Sequence, residues 1–266
     1  GPKLRCFNQI KEFRIQMYLR IKEIKSYARE QLLSHMWTAV FFTFLHIMLT
    51  NLCTFCLMVF PGGGSIVEMF IYEFTTLMID IFAGLLQVGV ACFYLNVATD
   101  QSQVSVYNLF HAFGHTPDKA IKVTAIFSLI HMACTLPYVV YTLFIMPVFS
   151  MEDLMNMNPE VLKCMGLAYL ILGAGELVYF LIRLFFEPVY YMLVDMPTLS
   201  VAKALKMSIW LMKGSKVRLL GLKLSFLPLQ FVSLLTFGIG NLWVIPYMNT
   251  ASAVFYNDLT TKRLNQ

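Results

Sequence analysis

The sequence predicts an all-α integral membrane bundle of six transmembrane helices. An amphipathic helix precedes the first span, and an interfacial cytoplasmic helix separates the fourth from the fifth. Three observations carry this reading. Of 266 residues, 58% are hydrophobic and only 13% charged, against about 25% charged in a soluble globular protein. The apolar runs exceed the ~10–14 residues of a buried soluble helix and come close to the ~20 that cross a bilayer. Of the twenty Lys and Arg residues, eighteen fall on one side of the alternation those runs define, as the positive-inside rule requires.

Gly1-Pro2 reads as a protease-cleavage scar, so the native chain is expected to begin elsewhere. Residues 3–36 form a basic cytoplasmic segment. Within residues 8–35, Ile10, Phe13, Met17, Ile21, Ile24, Ala28 and Leu32 recur at helical spacing among Lys11, Arg14, Arg20, Lys22, Lys25 and Arg29. That pattern predicts an amphipathic helix. It fits an anionic membrane surface and equally a site on the protein's own cytoplasmic loops.

The membrane domain is expected over residues 37–259. Its spans are residues 37–60, ended by Pro61-Gly-Gly-Gly64, then 74–98, 123–149 with Pro137 inside, 163–186, 218–237 and 241–259. Glu68, Glu73, Glu152, Asp153 and Glu160 fall in the outer loops. The inner loops hold the cations, and residues 260–266 are a cytoplasmic tail with Lys262 and Arg263. Between spans four and five, Ser200 stands as the cap of a helix bearing Val201, Leu205, Ile209 and Met212, with Gly214 as its stop. Lys203, Lys206 and Lys213 flank an apolar face holding Trp210, which assigns this helix to the inner interface. Asn108–Phe113 reads as a shorter counterpart. Gly238-Ile-Gly-Asn241 predicts a tight outer turn, and Pro246 with Thr250, Ala251, Ser252 and Ala253 a protein-facing final helix.

Six cysteines (Cys6, Cys53, Cys56, Cys92, Cys134, Cys164) are scattered, mostly in apolar segments, where cysteine serves as a small apolar residue. Cys53-Thr-Phe-Cys56 has redox or metal spacing but no second cysteine or histidine pair beside it. No metal, cofactor or nucleic acid is implied. No metalloprotease, nucleophile-elbow or phosphate-loop motif occurs either, so the chain is not expected to be an enzyme.

Ionisable groups inside a span are costly and therefore functional candidates. Span two carries Glu73, Asp80 and Gln87 seven apart, on the face that holds Thr76, Gly84 and Ala91. Span four carries Glu176, Arg183 and Glu187; the last two are one turn apart and are expected to form an ion pair at the inner interface. Glu176 lies deeper, without an intrahelical partner. His46 and His131 each fit a structural hydrogen bond, a proton relay or a ligand contact. Gln230, Ser233 and Asn249 fit hydrogen bonds between helices.

Several segments carry a resemblance: Asp195-Met-Pro-Thr-Leu-Ser200, Ala204-Leu-Lys-Met-Ser208, Leu211-Met-Lys-Gly214, residues 234–247 and Ala253-Val-Phe-Tyr-Asn-Asp258. Together they resemble an uncharacterised bacterial membrane-protein family, domain of unknown function nine-seven-five. The C-terminal third matches closely, and the N-terminal half through Ile24–Arg29. The resemblance implies a multi-pass bacterial plasma-membrane protein and brings no catalytic residues.

Two functions follow as expectations. In the first, a polar intramembrane cavity lined by Asp80, Gln87, Glu176 and His131 binds or translocates a lipid, peptide or small amphiphile. In the second, a non-transporting scaffold engages a membrane-protein partner or anionic lipid through its basic helices. Membrane lipids are partners in both, and both termini are expected in the cytoplasm.

Overall fold

A computed structural model describes residues 18–58, 66–99, 104–145 and 158–264, and all regular structure among them is helical. The helices are α1 (Ile21–Ser34), α2 (Met36–Met58) and α3 (Ile66–Ala98), then a 3-10 turn (Val106–Phe110) running into α4 (His111–His115). They continue with α5 (Pro117–Ile145), α6 (Pro159–Phe186), α7 (Val189–Asp195) and α8 (Val201–Met212). The last three are α9 (Lys216–Leu224), α10 (Leu227–Leu235) and α11 (Asn241–Leu264). Arg14, Cys6 and the Pro61–Gly64 turn lie outside the described residues, as do the side chains of Cys53, Cys56 and Glu73.

Among the described residues, four stretches are long and apolar enough to cross a membrane: Phe74–Ala98, Pro117–Ile145, Pro159–Asp195 and Lys216–Leu235. The third is α6 carried through α7, and the fourth is α9 with α10. α1 and α2 meet at 93° and make a fifth if the bent pair is one broken span. α11 has the length, at 24 residues, but not the apolarity of these four. Its Thr250, Ser252, Asp258 and Thr260 are buried against neighbouring helices, so protein rather than lipid sets its composition.

The core gathers at one end of the bundle. There the C-terminal half of α3 (Leu85–Ala98) packs with α7, with the C-terminal half of α11 and with Ile24, Ala28 and Leu32 of α1. Aromatic rings fill it: Phe42 stacks on Phe93 at 3.9 Å between centroids, and Tyr191 on Tyr256 at 5.2 Å. Two of its buried tyrosine hydroxyls find partners, as burial demands. The Tyr94 hydroxyl and Thr43 Oγ1 lie 2.7 Å apart, and Tyr256 donates to Asp195 Oδ2 at 3.0 Å. Gly84 brings α3 against α5 so closely that a Cβ there would lie 1.8 Å from Thr124 Oγ1.

Away from this core the helices are thinly covered. Ala120, Val123, Thr124, Phe127 and Ser128 are buried near the start of α5, while Leu129, Met132, Leu136 and Val140 are exposed. α6 buries only Val161, Ala168 and Leu184. The α5–α6 pair therefore projects from the core with a broad apolar surface turned outward, the surface expected of lipid-facing helices.

Two expectations about interfacial helices change. α1 begins at Ile21 and buries its apolar stripe on its own chain, chiefly against α11. Lys25 Nζ donates to the Ser225 carbonyl at 3.1 Å and sits 4.4 Å from the Phe226 ring centroid. That cation is thus engaged within the protein. In α8, Ser200 holds the cap position with extended backbone, but its side chain makes no capping bond. The buried face is Ala204, Ser208, Leu211 and Met212, and Ile209 and Trp210 turn outward with the lysines. Val201 and Leu205 pack against the core beside the buried Met212, so of the expected apolar face Ile209, with Trp210, turns outward.

The turn expected at Gly238–Asn241 forms, with Gly238 at φ +85° and Phe237 at φ 52°. Ser233 Oγ and Asn241 Oδ1 lie 2.7 Å apart across its base.

Candidate functional site

Midway along the α5–α6 pair, His131 Nε2 lies 2.8 Å from Glu176 Oε1. His131 stands fourteen residues into α5 and Glu176 seventeen into α6, so each is about 20–25 Å from one helix end. The two helices meet closely here because Gly175 backs onto the Cys134 carbonyl, where a Cβ would lie 2.5 Å from the oxygen. That approach brings the neighbouring Glu176 within reach of the imidazole.

Around the pair lies a short polar track. The His131 ring is 4.7 Å from the Tyr179 ring between centroids. Asp80, Glu176 and Arg183 are all within electrostatic reach of Tyr179, so spans two, three and four contribute to one neighbourhood. The Arg183 guanidinium lies 4.6 Å from the Phe127 ring centroid and 5.3 Å from that of Tyr190. Its Nη1 donates to the Tyr190 hydroxyl at 3.5 Å. Aromatic faces thus supply much of the solvation of this cation.

The pair is open on one side. The His131 and Glu176 side chains are 37% and 48% exposed. In hydrocarbon, an ionisable pair is tolerable when it shares a proton and stays net neutral, as imidazole with carboxylic acid or imidazolium with carboxylate. An uncovered lone pair or N–H on that side would still be costly. The arrangement is therefore suited to hydrogen-bond a polar group arriving laterally from the bilayer.

The expected residues fall out as follows. His131 and Glu176 meet, and Asp80 joins their neighbourhood through Tyr179 without a hydrogen bond among the described residues. Gln87 lies two turns further along α3, half-buried and likewise without a hydrogen bond among them. The Arg183–Glu187 ion pair is replaced: Glu187 Oε1 accepts from Lys223 Nζ at 2.9 Å, and Arg183 keeps only a longer-range interaction with that carboxylate. One turn of spacing allows the expected pair, but Phe127 and Tyr190 draw Arg183 aside while α9 presents Lys223 to Glu187. Nor is the polar cluster an enclosed cavity. A concavity of about 700 Å³ lies elsewhere, on the α10–α11 hairpin, lined by Leu227, Phe231, Leu234, Gln230 and Asn241 among others.

A second polar centre was missed by the sequence reading. Asp258, with its side chain 2% exposed, accepts from Arg218 Nη1 at 2.7 Å and pairs with Lys262 Nζ at 3.0 Å. The Leu19 N–H also donates to Asp258 Oδ2, at 3.2 Å. Arg218 is held between the Tyr18 and Phe255 rings, 4.6 and 4.5 Å from their centroids. The signal available in sequence was Asp258 one turn before Lys262; the partners on α9 and ahead of α1 are visible only in three dimensions. This centre ties α9, α11 and the segment ahead of α1 together.

Among the described residues, no three His, Cys, Asp or Glu side chains converge as metal ligands. No curated protein and no solved structure matches the chain. A family model described as protein of unknown function (DUF975) matches residues 17–263, which takes in both the track at His131 and Glu176 and the centre at Asp258. With the match spanning nearly the whole helical bundle, the chain belongs to the DUF975 family of proteins of unknown function.

Proposed function

We propose that the protein crosses a bacterial plasma membrane six times, with both ends cytoplasmic, and binds the polar part of an amphiphile at the His131–Glu176 pair. α2 would supply the first crossing and α11 the last. The observation carrying the binding reading is the half-exposed carboxylate–imidazole pair at mid-helix depth, on a surface otherwise apolar. Such a pair needs a polar complement that arrives through lipid. Asp80, Tyr179 and Arg183 extend the polar track beyond it, so a headgroup larger than one functional group can be accommodated.

The test uses the full chain in nanodiscs, with a nitroxide-labelled fatty acid and a nitroxide-labelled alkylamine as probes. Immobilised spin-label signal is expected for one of the two, falling about tenfold or more in His131→Gln/Glu176→Gln. Two lost hydrogen bonds to a potentially charged group, at about 1–2 kcal/mol each, correspond to that change. Equal signal in wild type and variant would remove the reading. Chemical crosslinking between copies at Gly173→Cys would replace the amphiphile with a second protomer as the occupant.

The scaffold reading draws on a different observation, the outward basic face of α8. It loses force at α1, whose apolar stripe and Lys25 are spent on the chain's own helices.

A further inference from the structure

The depth of α8 follows from two contacts with the inner end of α6. Ser208 Oγ donates to the Phe185 carbonyl at 2.9 Å, and Lys216, just past α8, holds its Nζ 3.5 Å from the Phe185 ring centroid. Phe185 is the penultimate residue of α6, the core of an apolar stretch long enough to cross a membrane. Phe185 lies about 39 Å along that stretch from Pro159 at 1.5 Å per residue, more than the ~30 Å of hydrocarbon, so α8 sits at the level of one headgroup layer.

Its outward face is equally defined. With Ala204, Ser208, Leu211 and Met212 buried on the protein, the opposite face presents Lys203, Lys206 and Lys213, all exposed, with Ile209 and Trp210 at 45% exposure each. Trp210 is held in position by the C-terminal helix: the Arg263 guanidinium lies 5.6 Å from its ring centroid and donates to the Lys213 carbonyl. No acid lies on this helix. Three ammonium groups bracketing an indole and an isoleucine, at the boundary of the hydrocarbon, match a headgroup layer in both polarity and charge.

We infer that the outward face of α8 is a docking surface for anionic phospholipid, with Lys203, Lys206 and Lys213 on the headgroup phosphates and Trp210 and Ile209 seated below them. Each lysine near an anionic surface contributes a factor of about five in preference for anionic over zwitterionic lipid. The inference is independent of the His131–Glu176 pair, which lies midway along α5 and α6.

The test uses the full chain in nanodiscs with Trp37→Phe and Trp243→Phe, leaving Trp210 as its indole. Brominated phosphatidylglycerol, diluted in unlabelled phosphatidylcholine, is expected to quench Trp210 several-fold more than brominated phosphatidylcholine at equal mole fraction. Lys203→Gln/Lys206→Gln/Lys213→Gln should abolish that difference while quenching itself persists. If the tryptophan double variant does not fold, the difference between wild type and Trp210→Phe reports the same quantity. Equal quenching by the two lipids overturns the inference, and so does absence of quenching, which would leave water or protein covering the face. Inorganic phosphate against chloride at matched ionic strength separates a lipid surface from a free-phosphate site. Loss of the lipid preference in phosphate alone would also overturn it.

Discussion

Gly175 rests against the Cys134 carbonyl, with room for a hydrogen but not for a methyl group, since a Cβ would lie 2.5 Å from that oxygen. The obstruction is backbone, which cannot turn aside as a side chain can. Gly175→Ala should therefore part α5 from α6 at a cost of about 1–3 kcal/mol and weaken amphiphile binding by separating Glu176 from His131. Gly166 faces open space, and Gly166→Ala should be neutral or stabilise by about 0.5–1 kcal/mol, because alanine is the better helix former. Thermal unfolding in detergent distinguishes the two; equal midpoints would contradict the close-approach account.

The Asp258 centre predicts a large stability effect. Removing a buried carboxylate leaves Arg218 and Lys262 without their shared counter-ion, a loss of about 3–5 kcal/mol for a pair of this kind. Asp258→Ala should lower the unfolding midpoint sharply. Combining it with Arg218→Met should recover part of the loss, since the second change removes the stranded charge. Simple additivity of the two substitutions would show that they are not coupled.

His111 and His115 predict a pH dependence outside the spans. Their rings stack with centroids 4.2 Å apart. Burial first, and then the charge of His115, hold the His111 imidazole below its ordinary value of 6.5. A group with a depressed folded pKa of this basic kind binds fewer protons folded than unfolded, so stability rises with pH across the interval between the two values. Unfolding midpoints should thus fall as pH drops through 6.5 towards the lower folded value. His111→Gln should flatten that part of the profile, and an unchanged slope would assign the acid sensitivity to other groups.

Six crossings require Glu68 and Gly214 on opposite faces. Single cysteines at these positions, in a chain whose native cysteines are replaced by serine or alanine, should react with a membrane-impermeant maleimide from opposite sides of oriented vesicles. Labelling from one side only would demand an odd shift in the number of crossings between them.

Which parts of this structure were legible depended on how local their causes are. α5 and α6 could be read because a run of apolar residues reports its solvent directly. The Gly238 turn was legible for a similar reason: its positive φ needs glycine whatever surrounds it. α1 and α8 show the limit. Periodicity gave α1 its apolar stripe, but not whether lipid or α11 would cover it. In α8 Ala204, Ser208, Leu211 and Met212 take the buried face while Ile209 and Trp210 turn outward, a choice that periodicity alone does not make.

By itself the sequence determined that this chain is a set of apolar helices, since transfer energies sum along the chain residue by residue. Only the tertiary structure decided that His131 would find Glu176, that Arg183 would leave Glu187 to Lys223, and that Asp258 would join Arg218 to the segment at Leu19. Those choices depend on helix crossings such as Gly175 on Cys134, where distances of a few ångströms between residues far apart in sequence select one polar partner over another.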